Sequence, residues 1–349
     1  MPTPPHRPSR RRRKTFLPGK IVWITGASSG IGEQLALSAA AGGATGLILS
    51  GRREDALERV KSACEATVPA AAAGGGRRAG GARAGEDIRV EVLPFDVADL
   101  EFVEKEAATR AIKLFGRVDV LVLNAGISTR GSVEATPLDV DKRVMTVNYF
   151  GPAGLAKGLL KATRAEPAAA KPAPSATAAA AAAASTSPVT KSSSSDDSNN
   201  SGAASADRDA VRFVVVNSVQ GKIGMAFRSS YAASKHALVG YFDCLRAEHA
   251  HRGVRVLTVF PGYVRTSLSL NALTADGTKH AQMDTATAQG RDAREVADKV
   301  WRAVSEGKDE LVLADLKANM AVLLRALAPR VLFGIMAKRA LKAGDGGEA

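Results

Sequence analysis

Seven short apolar runs recur along the chain: residues 20–25 (KIVWIT), 47–50 (LILS), 88–93 (IRVEVL), 118–123 (VDVLVL), 213–216 (FVVV), 255–260 (RVLTVF) and 310–313 (ELVL). Most are rich in Val, Ile and Leu and hardly alternate, the pattern of strands buried on both faces. Between them apolar positions recur at helical spacing. Helices are expected from Glu33 onward, over 54–64, over 100–115 (Val103, Ala107, Ala111, Leu114), from Thr136-Pro137 to Lys161, from Tyr231 to about His251, and near 293–305. Thr136 is placed as an N-cap and Pro137 at the first helical position. Strands alternating with helices predict an α/β, doubly wound, parallel seven-stranded sheet in one domain, over residues 20–315.

The pattern lapses in four places. Residues 1–19 form a basic, Pro-rich head with no apolar period. Residues 68–86 are Gly, Ala and Arg, and residues 164–210 are mostly Ala, Ser, Pro and Asp, including an unbroken Ala178–Ala184 run. Neither stretch can bury enough apolar surface to order itself, so both are expected to be disordered inserts. Each joins a helix to the next strand, a connection that lies opposite the ligand crevice in such a sheet. From 316 to 349 an amphipathic tail mixes Leu, Ala, Phe and Met with Arg325, Arg330, Lys338 and Arg339. Packing on the body is its default, with a lipid-accepting entrance or a membrane surface as alternatives.

Composition narrows the class. With 45% hydrophobic residues in a chain of 349, a sizeable core is possible. Two cysteines, Cys64 and Cys244, rule out a disulfide framework and a Cys-rich metal site, so no metal is expected and a reducing compartment fits. The net charge of +13 is partly local to Arg7, Arg10, Arg11, Arg12, Arg13 and Lys14 in the head. A solvated tail explains such a run better than nucleic acid, which is not expected as a partner. No 18-residue apolar run and no signal-peptide core is present, so neither a membrane span nor secretion is expected.

Chemistry concentrates at the strand ends. After the first strand comes Thr25-Gly26-Ala27-Ser28-Ser29-Gly30-Ile31-Gly32 and then a helix. Glycines let the backbone turn tightly and approach a pyrophosphate, and the helix N-terminus offers free N–H groups. An NAD-selective site places a carboxylate after the second strand, to hold the ribose 2′-hydroxyl. Here stand Gly51-Arg52-Arg53, which suit a 2′-phosphate, so NADP(H) is favoured and NAD(H) remains possible.

After the fifth strand come Ser218 and, thirteen residues on, Tyr231 with Lys235 four residues later. On a helix that spacing shares one face, so the ammonium comes near the phenol. A free phenol ionises near pH 10, and a neighbouring cation lowers that value. A tyrosine so tuned is a general acid or base for a carbonyl–alcohol pair, with Ser218 holding the same oxygen.

Taken together, these residues resemble the short-chain dehydrogenase/reductase family over 20–315 apart from the inserts. The glycine turn, Asn124-Ala125-Gly126, Asn148, Ser218, Tyr231-x-x-x-Lys235 and Pro261-Gly262 stand in family order. The resemblance implies a Rossmann-type domain and an oxidoreductase reducing a ketone or aldehyde by hydride transfer. Tyr231 would be the acid/base, Ser218 the substrate-orienting hydroxyl, Lys235 the ribose ligand and Asn148 part of a proton relay. Cofactor contacts would come from Gly26, Ser28, Ser29, Gly30, Ile31, Gly32, Arg52, Asp96, Val97, Asn124, Tyr231, Lys235, Pro261, Val264 and Thr266, with Ser218 and Tyr231 meeting substrate. Leu123 stands where the family usually has a second Asn. The strings 141–152, 227–236 and 267–290 resemble a membrane-anchored branch of the family. That branch implies a lipid-like substrate, a homo-oligomer, and the cytoplasmic face of the endoplasmic reticulum or peroxisome. A cofactor-binding regulatory protein with vestigial catalysis is the alternative.

Overall fold

A computed structural model of the protein describes residues 17–67, 88–165 and 211–345. The predicted head and both predicted inserts lie almost wholly outside these residues. Seven strands, β1 (Ile21–Thr25), β2 (Gly46–Ser50), β3 (Arg89–Val92), β4 (Val120–Leu123), β5 (Arg212–Val216), β6 (Arg255–Pro261) and β7 (Glu310–Leu313), form one parallel sheet. Their order is β3-β2-β1-β4-β5-β6-β7, every pair parallel, so the winding reverses between β1 and β4. Ligands of open α/β sheets bind at such a switch point, outside the strand C-termini.

The helices are α1 (Gly30–Ala41), α2 (Glu54–Thr67), α3 (Leu100–Lys105), α4 (Ala107–Phe115), α5 (Leu138–Met145), α6 (Gly151–Ala165), α7 (Ser229–His249), α8 (Thr285–Ala288), α9 (Ala293–Ser305), α10 (Leu316–Leu327) and α11 (Pro329–Asp345). Side chains alternate across the sheet. Val22, Ile24, Val120, Val122, Val214 and Val216 pack with Leu35, Val296 and Trp301 of α1 and α9. Trp23, Leu121, Leu123, Phe213 and Val215 pack on the other face with Leu155, Leu159, Leu238 and Phe242 of α6 and α7. Both faces are therefore dry, which is why the strands read as near-continuous apolar runs.

Four local expectations change. The helix over 100–115 is two helices: Asp99 caps α3 by accepting from the Phe102 N–H at 3.1 Å, and the chain turns at Glu106 before α4. The break lies beside Gly154 and Gly158, where an added Cβ would come within 3.0 Å of Val103 Cγ2 and 2.9 Å of Glu104 O. Pro137 is the extended residue before α5 rather than its first helical position, and the Thr136 hydroxyl donates to Ser132 O at 2.7 Å instead of capping. One π turn, Thr146–Phe150, interrupts the helix between α5 and α6. Such a bulge re-aims a side chain, here Asn148. The tail does not join the core: Leu332 is buried, while Leu316, Met320, Leu323, Leu327, Val331, Phe333, Ile335 and Leu341 are exposed. No helix among the described residues is long and apolar enough to cross a membrane.

Candidate active site

The glycine turn between β1 and α1 is built from backbone that side chains would obstruct. Gly26 and Gly30 have φ of +64° and +61°, in the left-handed region that favours glycine. A Cβ on Gly32 would lie 2.2 Å from Gly26 O and 2.5 Å from Asn124 Nδ2, so only glycine lets α1 start this close to the turn. Ser29 is the N-cap and makes no side-chain cap hydrogen bond. The first-turn N–H groups and the dipole end are thus directed at whatever anion sits over the turn. A dinucleotide pyrophosphate fits this cradle. Asn124 acts from behind it: Nδ2 donates to Thr25 O and Gly26 O, both at 3.1 Å, and its N–H donates to Thr25 Oγ1 at 3.1 Å. That residue shapes the turn from the far side.

At the end of β2 the arginines diverge. Arg52 Nη1 lies 3.9 Å from Asp96 Oδ2, with both side chains well exposed. Arg53 Nη2 donates to Ser28 Oγ at 3.3 Å, so it reaches the glycine turn itself. Both arginines suit a 2′-phosphate by sequence, with Arg52 expected among the cofactor contacts; that Arg53 folds back on Ser28 is a tertiary fact. Val97 is buried against Gly151, whose Cβ would stand 2.4 Å from Val97 O. Asp96 Oδ1 accepts from the Ala98 N–H at 3.0 Å, leaving its other oxygen towards Arg52.

The Ser–Tyr–Lys set converges at the ends of β4 and β5. Tyr231 and Lys235 lie on one face of α7, with Lys235 Nζ 5.7 Å from the phenol ring centroid. The ammonium donates to Val216 O at 3.1 Å, and burial pushes it down to about 8. Asn217 joins strand to helix: its Nδ2 donates to Lys235 O at 3.0 Å while its Oδ1 accepts from the Ser218 N–H at 2.8 Å. Ser218 Oγ accepts from the Gln220 N–H at 3.1 Å and is aimed at Tyr231. Burial raises the Tyr231 phenol above its ordinary value, against the pull of the Ser218 hydrogen bond and of Arg228 and Arg130. The expectation that the nearby lysine dominates is thus amended: desolvation is the larger effect, and the cations drawing the phenol down are arginines.

Asn148, fully buried on the π turn, exchanges hydrogen bonds with Ile127 (N–H to Oδ1 at 2.8 Å, Nδ2 to O at 2.9 Å) and donates to Ser234 Oγ at 3.0 Å. Ser234 donates in turn to Tyr231 O at 2.7 Å. A Cβ on Gly126 would lie 3.2 Å from Asn148 Oδ1 and 3.7 Å from Lys235 Nζ, which places the Asn-Ala-Gly turn, the π turn and the lysine in one cluster.

After β6, Pro261 ends the strand, Val264 is buried, and Thr266 lies over the glycine turn, 3.1 Å from the position of a Gly30 Cβ. The segment beyond is tied to the loop after β4 and to the head of α7. Leu273 N–H donates to Ser128 O at 2.8 Å, Arg130 N–H donates to Leu273 O at 2.7 Å, and Asp284 pairs with Arg130 and Arg228. Neither arginine carries a motif in the sequence. A surface recess of about 550 Å³ lined by Leu100, Leu138, Lys142, Met145 and Phe150 contains none of Asn148, Ser218, Tyr231 and Lys235. A smaller one of about 350 Å³ opens beside Gly30, Arg265 and Asp292.

Comparison with known proteins bears on the fold and the family. The family described as short chain dehydrogenase matches residues 77–169 and 203–277, a span that holds Asn148, Ser218, Tyr231 and Lys235. Dehydrogenase/reductase SDR family member 7B of Mus musculus is 38% identical over 333 residues, covering 95% of this chain and 85% of the relative. Among solved structures, a short chain dehydrogenase from Burkholderia cenocepacia in complex with NADP superposes with a TM-score of 0.60 at 21% identity, over 91% of this chain and 98% of that one. A short chain dehydrogenase/reductase from Burkholderia phymatum in complex with NAD gives 0.62 at 21% identity, over 90% and 95%. At that identity the two structures speak for the fold.

Proposed function

Since the chain belongs to the short-chain dehydrogenase/reductase family, a family of nicotinamide-dependent oxidoreductases, we propose that it is an NADP(H)-dependent reductase of a lipid-like ketone or aldehyde. The observation that carries this reading is the convergence of Ser218, Tyr231, Lys235 and Asn148 beside the glycine turn. Arg53 on Ser28 and Arg52 beside Asp96, with no carboxylate directly after β2, support a 2′-phosphate.

A bound dihydronicotinamide would supply hydride to the carbonyl carbon. Gly26, Ser28, Ser29, Gly30, Ile31 and Gly32 would hold its pyrophosphate, Asp96 and the Val97 backbone its adenine, and Pro261, Val264 and Thr266 its carboxamide end, with Asn124 shaping the turn. The Ser218 hydroxyl and the Tyr231 phenol both donate to the carbonyl oxygen and polarise it. As negative charge grows on that oxygen, the phenol proton passes to it, giving the alcohol and a phenolate. Lys235 stabilises the phenolate from the ring face, and Asn148 orders the path by which a proton returns from solvent. Alcohol oxidation runs through the same groups in reverse. The exposed apolar and basic tail supports contact with a membrane surface, and the family resemblance supports a homo-oligomer in a reducing compartment at the endoplasmic reticulum or peroxisome.

NADPH consumption with a panel of hydrophobic ketones and aldehydes tests the proposal. Tyr231→Phe is expected to lower turnover by about 10²–10⁴, the usual worth of general acid catalysis, while NADPH affinity stays nearly unchanged. Turnover within tenfold of wild type would remove Tyr231 from the mechanism.

A further inference from the structure

At the head of the Tyr-bearing helix stand three charged side chains to which the mechanism above gives no role. Arg130, 6% exposed, leaves the loop after β4, and its Nη1 donates to Ser128 Oγ at 2.9 Å and Thr129 O at 2.7 Å. Its Nη2 donates to Asp284 Oδ2. Arg228 is the residue before α7, three positions ahead of Tyr231, and donates to the same carboxylate oxygen at 3.2 Å. Asp284 comes from the segment after β6. Two guanidiniums therefore converge on one carboxylate, largely out of water, where charges are weakly screened.

The backbone is tied at the same place. Gly131 N–H donates to Phe227 O at 3.1 Å, and Phe227 has φ of +61°, which a bulky residue rarely adopts. The loop after β4, the segment after β6 and the start of the Tyr-bearing helix meet at Asp284.

We propose that Asp284 is a positioning residue for carbonyl reduction: by offsetting one of two arginines and fastening both, it sets the net positive charge Tyr231 faces and so the pH range in which the phenol can donate. This presupposes Tyr231 as the general acid.

The groups acting on the phenol are Lys235 on its own helix, Ser218 from the end of β5, Arg130 after β4 and Arg228 at the head of α7; Asp284, His280 and Tyr263 from beyond β6 face the two arginines and one another. His280 Nε2 is 3.8 Å from Asp284 Oδ1, and the Arg228 Cζ is 6.0 Å from the Tyr263 ring centroid. Burial works to raise the Asp284 carboxyl, but hydrogen bonds and charge from Arg130 and Arg228 outweigh it and hold the group below the usual carboxylate range. It is charged wherever the enzyme would work.

The test compares two variants of opposite sign, using NADPH and the panel carbonyl turned over fastest. Asp284→Asn leaves two arginines uncompensated, so the phenol ionises earlier and the alkaline limb of kcat moves down by about half to one pH unit. A unit charge acting over a distance on the order of 10 Å through an effective dielectric of about 20 would give a shift of that order, less some screening. Arg228→Gln removes a cation and moves the limb up by a similar amount. Asp284→Glu restores the wild-type limb. A purely structural latch lowers kcat in both variants without moving the limb, or moves it the same way, and either result overturns the proposal.

A second readout needs no substrate. With tyrosine labelled at Cζ, four residues give four NMR signals, and Tyr231→Phe identifies the one that matters. Midpoints displaced in opposite directions in the two variants support the charge coupling, and coincident midpoints refute it. Retained turnover in Tyr231→Phe would remove Tyr231 as the general acid, and with it the role of Asp284 in reduction, while the NMR midpoints would still decide the charge coupling.

Discussion

Gly32→Ala should disable the cofactor turn, by an amount that follows from two distances. The new Cβ would stand 2.2 Å from Gly26 O and 2.5 Å from Asn124 Nδ2, where ordinary contact begins at 3.4 Å. The Gly26 carbonyl is backbone and cannot rotate away, so α1 and the turn must separate by about an ångström, an overpacking cost of about 1–3 kcal/mol. Separation also breaks the two hydrogen bonds from Asn124 to Thr25 O and Gly26 O, each worth about 1 kcal/mol. The sum is about 3–5 kcal/mol of distortion. If only half of it is charged to binding, NADPH affinity falls by about tenfold to a hundredfold. Isothermal titration with NADPH and a thermal melt measure both parts. Gly240→Ala is the control: nothing lies within 4 Å of its Cβ position on α7. Replacing a helical glycine there should stabilise by about 0.5–1 kcal/mol with no change in affinity. Gly32→Ala binding NADPH within about threefold of wild type, with an unchanged melt, would refute the account of the cradle.

Arg53→Ala is expected to weaken NADPH binding by about tenfold or more, the worth of a charge-assisted phosphate contact, and to leave NADH binding unchanged; equal losses for both cofactors would assign Arg53 to the turn alone. Lys235→Met tests the buried ammonium. Its folded value of about 8 lies below the unfolded one, so the folded protein releases that proton first. The lysine's contribution is least favourable below pH 8 and improves until the unfolded value near 10.5 is passed. Denaturant unfolding of both proteins should therefore show wild type gaining on the variant by up to about 3 kcal/mol across that window; a constant difference would show that Lys235 is not desolvated.

Much of the architecture could be read from the chain because burial on both faces leaves a plain mark. Val22 to Ile24, Val120 to Leu123 and Phe213 to Val216 are apolar at consecutive positions, since each faces one of two helical layers. The Tyr231–Lys235 pair was legible for a local reason: the two are four apart on one helix, so α-helical geometry alone brings them together. The glycine turn was legible because left-handed φ at Gly26 and Gly30 restricts the residue type. The tail's exposure was not legible, because the same apolar and basic mixture suits a core, a cleft or a surface.

Whatever follows from one turn of helix, one tight loop or a continuous apolar run was therefore dictated locally, and residue order sufficed to foresee it. Contacts between segments distant in the chain were decided elsewhere. Asp284 meets Arg130 across 154 positions and Arg228 across 56, and Asn148 reaches Ser234 across 86 because a π turn rotates it inward. No local preference encodes such meetings. They depend on how the loops beyond β4 and β6 settle over the head of α7, and with them comes the balance between desolvation and positive charge at the phenol.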